Sequence, residues 1–196
     1  MRYIGETDKV QAVSAAEYRR ATSILEGDLS DDTLIDELLQ AAQEAVETAS
    51  GRPLAPGAYE FTVPFPGWRR WYFPCLPVTA LDDLTLIETE AGDAATQDLT
   101  GVRIVRGSDE PQLLLPSDWD GFDVEADTLR IQATVGAVAG SPQTKTLKRA
   151  IIMVAKQWFI DGVSVGEHDA MPQLAFGALR LIKQVRYRRP FTFCEA

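Results

Sequence analysis

The clearest hydrophobic pattern of the chain lies near its start, in residues 30–54. Apolar residues recur there at intervals of three and four positions: Leu34, Ile35, Leu38, Leu39, Ala42, Val46 and Ala49. This spacing predicts one amphipathic helix with a single apolar stripe. Ser30 or Asp31 is expected to cap its amino end. Gly51 supplies a left-handed exit, and Pro53 prevents the helix from resuming.

Three further helices are predicted from capping residues and the same apolar period. Ser14 and Glu17 form a capping box that opens a short helix ending at about residue 25. Ser141 and Pro142 begin a third helix, and Pro172 begins a fourth. The residues expected to face the core in these last two helices are Leu147, Ile151, Val154, Ala155, Trp158, Phe159, Leu174, Ala178, Leu181, Ile182 and Val185.

Between residues 56 and 140 the pattern changes to short runs separated by proline and glycine. The runs are 59–63, 70–73, 84–90, 102–105, 112–115 and 129–135, and the last one alternates apolar and polar residues cleanly. Such alternation is typical of half-buried antiparallel strands. The sequence therefore predicts an α+β fold, a helical bundle with an inserted antiparallel β-domain and an extended C-terminal arm. The expected bounds are 1–55 and 141–187 for the bundle, 56–140 for the β-domain and 188–196 for the arm.

The amino-acid composition and the two cysteines indicate the kind of compartment in which the protein is expected to work. The chain has 196 residues and is 45% hydrophobic, which is enough for a real core. It contains no apolar run long enough for a membrane span and no signal-peptide run in its first residues. We therefore expect a cytosol-like compartment and no membrane partner. Cys75 and Cys194 fit no metal-binding spacing, and a disulfide between them is not expected in that compartment.

Charge is distributed unevenly along the chain. The formal net charge is −10, with 10 basic and 25 acidic residues in 1–140 but 9 basic and 4 acidic residues in 141–196. One interpretation is an ordinary solvated acidic surface with a basic carboxyl end. The other is electrostatic complementarity between neighbouring copies, or between the basic end and an acidic partner. A general nucleic-acid-binding protein usually carries a net positive charge, which this chain lacks.

No motif indicates catalysis or a cofactor. His168, the only histidine, stands in GEHDA without a second ligand at metal-binding spacing. Ser164 stands in GVSVG, but it follows a helix, whereas a nucleophile elbow follows a strand. Asp31 and Asp32 are interpreted as helix-start charges, and the Asp82–Asp83 pair as a turn. The sequence therefore predicts no catalytic, metal or cofactor-binding residues.

Residues 68–73 form a cluster in which aromatic residues are interleaved with arginine. The favoured interpretation of Trp68, Arg69, Arg70 and Trp71 is a strand whose rings pack a small β core with the arginines outside. The alternatives are stacking on nucleic-acid bases or sugars and a surface for a protein partner, because Trp and Arg are frequent in interface hot spots.

The last predicted helix and the residues after it are basic. They contain Arg180, Lys183, Arg186, Arg188 and Arg189. Three interpretations are open. These residues form a solvated helix face, they contact an acidic ring of a neighbouring protein, or they contact DNA phosphates that pass nearby. Beyond Pro190, the alternation of Phe191 and Phe193 with polar residues suits a strand added to a sheet on another subunit.

Several of these segments together resemble the phage head-tail connector (portal adaptor) family, found in tailed phages and gene transfer agents. Residues 34–54, LIDELLQAAQEAVETASGRPL, resemble the family helix LI.AA...VE..TGR.L. Residues 76–78 resemble its PL.PV entry into the β region. Residues 129–136 are similar to its strand ending in glycine, and 147–158 and 178–186 are similar to its two closing helices.

The resemblance implies a homo-oligomeric ring, of twelve subunits, beneath the portal of a virion or phage-like particle. Such a ring joins capsid to tail, is assembled in the bacterial cytoplasm and leaves a channel for DNA. The expected partners are the portal protein, the next tail or stopper protein and DNA passing without sequence-specific binding. Alternatives are a stopper or tail-completion protein of the same particle, or a small hydrolase using the His168 loop.

The basic carboxyl end and the tail beyond Arg189, which has no match in the family pattern, give candidate site residues for the partners that the resemblance implies. Those expected to bind the portal are Arg186, Arg188, Arg189, Pro190, Phe191 and Phe193. Trp68, Arg69, Arg70 and Trp71 are candidates for a partner surface. Arg180 and Lys183 are candidates for contacts to the DNA channel or to a neighbouring subunit.

Overall fold

The computed structural model divides the chain into two compact units, each built from segments distant in sequence. It describes residues 1–5, 9–22, 32–88, 90, 92–106, 110–123, 126–137, 140–161, 176–190 and 194–195. One unit, the β unit, consists of Met1–Lys9, Pro56–Ala137 and Tyr187–Ala196. The other, the helical unit, consists of Val10–Ala55 and Val138–Arg186. The predicted α+β fold class is confirmed.

In the part of the chain that the structure describes, four helices pack around one core in the helical unit. They are α1 (Ala15–Thr22), α2 (Asp32–Ser50), α3 (Pro142–Asp161) and α4 (Phe176–Val185). The buried residues of this core include Ile35, Leu39, Ala42, Val46, Leu147, Ile151, Val154, Ala178 and Ile182, as their helical spacing predicts. Leu34 is 48% exposed, because it lies on the face of α2 away from this stripe. Trp158 is only partly buried at the margin of the core.

Two of the predicted helix caps are present. The Ser14 hydroxyl oxygen accepts a hydrogen bond from the Glu17 amide at 3.2 Å, and the Ser141 hydroxyl oxygen accepts one from the Thr144 amide at 3.2 Å. Each cap satisfies an amide that the first helical turn leaves without a partner. The other predicted helix-start residues, Ser30, Asp31 and Pro172, lie outside the described residues, as does Leu174.

Among the described residues, two antiparallel sheets form the β unit. Their strands are β1 (Arg2–Tyr3), β2 (Gly57–Pro64), β3 (Arg70–Tyr72), β4 (Val78–Glu88), β5 (Asp93–Thr96), β6 (Arg103–Arg106), β7 (Pro111–Leu114), β8 (Thr128–Val135) and β9 (Cys194–Glu195). Sheet A has the order β1-β2-β8-β4-β5, and sheet B has the order β6-β7-β3-β9. One turn of 3-10 helix, Asp120–Asp123, precedes β8.

Alternation along the strands gives each sheet one buried face. In β8, Leu129, Ile131, Ala133 and Val135 are fully buried, while the residues between them are half-buried. The inner residues of both sheets share one apolar cluster, which includes Phe61 of sheet A and Trp71, Phe73 and Leu113 of sheet B. The Phe61 ring meets the Phe73 ring edge-on at 5.5 Å between centroids, an arrangement that aromatic pairs favour.

Two sequence expectations differ from this structure. Asp82 and Asp83 lie inside β4, whose pairing with β8 shifts register between Val78 and Ala80 and between Leu81 and Asp83. The shifts are bulges, which place polar residues within a strand and resemble turn signals in sequence. The sequence pattern predicts residues 1–9 as part of the bundle, but Arg2 and Tyr3 pair with Glu60 and Tyr59 of β2.

Candidate interaction surfaces

The carboxyl end of α2, which belongs to the connector-like signature, is held by hydrogen bonds inside the helical unit. The Glu47 side chain is only 6% exposed. Its Oε1 accepts hydrogen bonds from the Gln43 side-chain amide and from the Leu54 backbone amide, both at 2.9 Å. The Gln43 side-chain oxygen in turn accepts a bond from the Ala12 amide at 2.7 Å. This network connects α2 to the chain segments before and after it.

Gly51 and Arg52 complete the same structure. Gly51 adopts a φ of 66°, a left-handed conformation that glycine tolerates without a Cβ penalty. The amides of Gly51 and Arg52 both donate to the Glu47 carbonyl oxygen, which ends the helix in a Schellman-type cap. The Arg52 Nε donates to the carbonyl oxygen of Val185, at the end of α4. Glu47, Gly51 and Arg52 of the signature therefore stabilise the helical unit and do not form an exposed binding surface.

The aromatic residues in and just before β3 are buried, and the arginines beside them are more exposed. Trp68 is 4% and Trp71 is 3% exposed, and both belong to the apolar core of the β unit. Arg69 is exposed and Arg70 half-buried. This agrees with the favoured interpretation, in which the rings pack the β core and the arginines lie outside. Both tryptophan rings belong to the core of the β unit, Trp71 from β3 and Trp68 from the residues before it, so the arginines remain as the candidate partner surface.

A cleft of about 260 Å³ lies on the outer side of sheet B. We call it the arginine cleft, and its lining residues are Arg69, Arg70, Gly101, Arg103, Leu114, Leu115 and Pro116. Leu114 of β7 pairs with Arg70 of β3 on one side and with Arg103 of β6 on the other. Because directly paired residues share a face of a sheet, both arginines rise beside Leu114. The cleft thus combines three cationic groups with an apolar floor.

Backbone and ring contacts fix the shape of the arginine cleft. The Arg69 carbonyl oxygen accepts a hydrogen bond from the Leu115 amide at 2.9 Å, and the Arg69 guanidinium lies 5.9 Å from the centroid of the Phe122 ring. Gly101 has a φ of 78°, and a Cβ there would lie 3.2 Å from Pro116. Any other residue at 101 would therefore be strained and would crowd the wall of the cleft.

The first residues after α4 are bound to the chain's own sheet B. The Tyr187 hydroxyl donates to the Phe73 carbonyl oxygen at 3.1 Å, and the Arg189 Nε donates to the Tyr72 carbonyl oxygen at 2.7 Å. The Arg189 guanidinium also lies 4.8 Å from the centroid of the Trp71 ring, within cation–π distance. Burial, followed by the charge of Glu110, raises the pKa of Tyr187 to about 12.

Strand β9 extends this attachment, since Cys194 and Glu195 pair with Trp71 and Arg70 of β3. The sequence suggested a free arm for a sheet on another subunit, but here the arm covers an edge of its own sheet. The physical reason is that β3 would otherwise present unpaired backbone groups to solvent. Sequence reasoning could not identify this acceptor, because the two strands are more than 120 positions apart.

The remaining candidate residues lie in different environments. Arg186 and Arg188 are exposed, whereas Arg189 and Pro190 are half-buried. Phe191 and Phe193 lie outside the described residues. Arg180 and Lys183 are both exposed on α4 and stand three positions apart, so they share one helix face.

The candidate chemical groups form no site in the described part of the chain. His168 and Ser164 lie outside that part. Asp82 Oδ2 accepts a bond from Thr134 and Asp83 Oδ2 one from Thr85, so each carboxylate has its own hydroxyl partner. Cys75 is a buried free thiol, and its burial raises its pKa to about 12 against opposing charges of the amino terminus and Arg189. Among the described residues no group of three or more His, Cys, Asp or Glu could hold a metal ion.

No helix in the described ranges is both long enough and apolar enough to cross a membrane.

Comparison with known proteins relates this fold to particle structures. The chain is similar to a chain in the neck of an empty gene transfer agent (GTA) particle computed with C6 symmetry, with a TM-score of 0.68 and 21% identity. It is also similar to a chain in the virion of a native GTA particle, with a TM-score of 0.69 and 22% identity. A third similar chain, in the neck of a native GTA particle computed with C12 symmetry, has a TM-score of 0.66 and 21% identity. Each match covers 98% of both chains.

No protein-family model and no curated protein sequence matches the chain. The resemblance to head-tail connectors that the sequence indicates is thus confirmed at the level of the fold.

Proposed function

We propose that this protein is a structural component of the neck of a gene-transfer-agent or phage-like particle, where it acts as a head-tail connector. It forms a ring under the portal, joins capsid to tail and leaves a channel for DNA. The observation that carries the proposal is the fold shared with GTA neck chains over 98% of both chains. The connector-like sequence segments of α2, α3 and α4 support it independently, because that resemblance lies in the sequence and not in the fold.

Ring formation is supported by the symmetry with which the similar necks were computed, C6 and C12. Closed rings are built from heterologous contacts, in which two different surfaces of each subunit meet. Twelve copies remain the expected number. A stopper or tail-completion protein of the same particle is the second candidate, since C6 symmetry is also compatible with a six-fold ring.

In this proposal the carboxyl-terminal segment binds the portal. Its exposed charges, Arg186 and Arg188, are available to acidic groups on a partner, whereas Arg189 is already bound to Tyr72 and Trp71. We therefore assign Arg189 a positioning role, in which it sets the direction of the residues that follow. Arg180 and Lys183 supply a cationic helix face for a neighbouring subunit or for DNA phosphates.

Truncation after Arg189 tests the portal contact. The shortened chain keeps the hydrogen bonds of Tyr187 and Arg189, so we expect it to fold and to retain its circular dichroism spectrum. Co-sedimentation with the purified portal of the same particle should fall at least tenfold, because several weak contacts act together in a ring. The double variant Arg186→Glu/Arg188→Glu should weaken it as well, while Arg20→Glu, an exposed charge on α1, is the matched control.

Normal portal binding by the truncated chain would contradict the anchoring role. Electron microscopy of assembled particles tests the position itself. Density for this chain between portal and tail supports the connector, and density closing the far end of the neck supports the stopper.

A further inference from the structure

We propose that the exposed face of α2 in one copy of this chain packs antiparallel against the exposed face of α3 in the next copy, and that this contact joins neighbouring subunits of the ring. The inference rests on the proposed function, because a ring brings other copies to two different surfaces of each subunit. It names those surfaces, the orientation of the helices and the charges that pair between them.

The exposed side of α3 is basic. Lys145, Arg149, Lys156 and Ile160 are exposed on this helix, at intervals of four, seven and four positions. Residues at such intervals share one helix face, so we call these four the basic stripe. Ile160 stands at one end of the stripe and is 68% exposed. The stripe therefore presents three cationic groups and an apolar end.

The exposed side of α2 has the opposite charge. Leu34, Glu37, Ala41 and Glu44 are exposed at intervals of three or four positions and form the acidic stripe. It carries two carboxylates and, at its amino end, a leucine that is 48% exposed. No charged residue of either stripe takes part in an ion pair among the described residues. Both sets of charges are thus available to another copy.

The charges of the two stripes have the same spacing. Glu37 and Glu44 are seven positions apart, as are Arg149 and Lys156. Seven helical residues rise about 10 Å, so both glutamates meet a cation at once when the two helices lie side by side. Charge pairs of this kind between helices determine which partners associate and in which orientation.

The apolar ends of the stripes select the antiparallel orientation. When Glu37 lies opposite Lys156, Leu34 and Ile160 both lie about one turn further along, at the same end of the contact. At about 100° per residue, Leu34 is offset about 60° around its helix from Glu37, and Ile160 about 40° from Lys156. In antiparallel helices both offsets fall on the same side, so the two apolar side chains meet. Parallel helices would place them at opposite ends.

A second copy suits the basic stripe better than duplex DNA does. Phosphates would pair with the three cations but would leave the exposed Ile160 beside a charged backbone. The net charge of −10 also opposes general binding to a polyanion. Contact with DNA gives the acidic stripe no partner, whereas a heterologous ring contact uses both stripes.

Single charge reversals, combined in two ways, test the contact and its orientation. Glu37→Lys and Lys156→Glu, each alone, should raise the protein concentration needed for half-assembly at least tenfold, because each replaces an attraction by a repulsion. The matched double variant, Glu37→Lys/Lys156→Glu, restores the pair and should assemble within about threefold of the wild type. The mismatched double variant, Glu37→Lys/Arg149→Glu, leaves two repulsive pairs and should assemble no better than Glu37→Lys alone. Mass photometry and sedimentation at low salt measure assembly, with and without the purified portal.

Controls separate this contact from general effects of charge and folding. The two double variants have the same net charge, so a difference between them does not come from overall charge. Arg20→Glu and Asp93→Lys change exposed residues outside both stripes and should leave assembly unchanged. Each variant is checked for its circular dichroism spectrum and melting temperature.

A cysteine pair tests the contact of the two apolar ends directly. Leu34→Cys/Ile160→Cys, in a chain that also carries Cys194→Ser, should form covalent multimers larger than a dimer on oxidation. Neither cysteine alone should form them, because each contact needs one cysteine from each stripe. Absence of such multimers from an assembled ring would contradict the antiparallel arrangement.

The outcomes are decisive in both directions. Recovery in the matched double variant, with loss in the mismatched one, supports the inference. Normal assembly of Glu37→Lys overturns it, as does loss without recovery in the matched variant. If Lys156→Glu assembles normally but loses binding to a duplex DNA probe, the contact is wrong and the basic stripe belongs to nucleic acid. A wild-type chain that neither assembles nor binds the portal contradicts the proposed function itself, whereas a ring unaffected by these changes contradicts only this inference.

Discussion

The carboxyl end of α2 and strand β3 use charged residues in opposite ways. At the end of α2, Glu47 is buried and its carboxylate accepts bonds from Gln43 and Leu54. In β3, the apolar Trp71 is buried, and Arg70 lines a cleft on the outer side. The segment with the more recognisable sequence is thus the one that maintains the fold. The less distinctive arginines form the surface suited to a partner.

This difference follows from the constraints on each region. A buried carboxylate needs hydrogen-bond donors at fixed positions. The residues that supply these donors therefore stand at fixed intervals along the chain. A surface arginine needs only an outward direction, which any alternate position of a strand supplies. A motif that stands out in one sequence is therefore informative first about folding, and the interaction surface has to be found from the structure.

The largest expected effect comes from the buried side of β3. Trp71→Ala should lower the free energy of unfolding by about 3–5 kcal/mol, because it leaves a cavity in the aromatic core. Trp158→Ala is the comparison, and it should cost only about 1–2 kcal/mol, since that ring is partly buried. Denaturant unfolding followed by far-UV circular dichroism measures both. Equal losses would show that the two rings are equally important for packing.

A smaller loss is expected at the end of α2. Glu47→Ala should cost about 2–4 kcal/mol, because it removes two hydrogen bonds to a buried carboxylate and leaves the Leu54 amide without its acceptor. Asp36→Ala, at an exposed carboxylate of the same helix, should change stability by less than about 0.5 kcal/mol. If the two variants were equally stable in urea, the polar network would not stabilise the helical unit.

The last effect appears only in alkaline solution. Burial holds the Cys75 thiol protonated, with its pKa raised from 9.0 to about 12. As pH rises above 9, the unfolded chain releases this proton while the folded chain keeps it, so the free energy of unfolding decreases. Below pH 9 the contribution is constant. Cys75→Ala should make the stability less dependent on pH between 9 and 12, as thermal melts would measure, and an unchanged slope would contradict it.

Much of the local structure could be predicted from the sequence. The caps of α1 and α3, the buried stripe of α2 and the alternation of β8 follow from short-range rules, in which helix and strand periods separate buried from exposed positions. The burial of the rings in residues 68–73 was also predictable, because this aromatic cluster suits the core of a small β-domain better than a surface. The bulged path of β4 was not, since Asp82 and Asp83 give the same local signal as a turn.

The sequence by itself determined which residues are buried within each helix and strand, because a side chain's direction depends on its position in a local period. Only the tertiary structure decided which strands are neighbours. It placed Arg103 beside Arg70 across Leu114, and it bound Tyr187 and Arg189 to the carbonyl groups of β3. Strand pairing joins residues that are distant in the chain, and no local pattern specifies the partner. The arginine cleft and the attached carboxyl terminus are both products of such pairing.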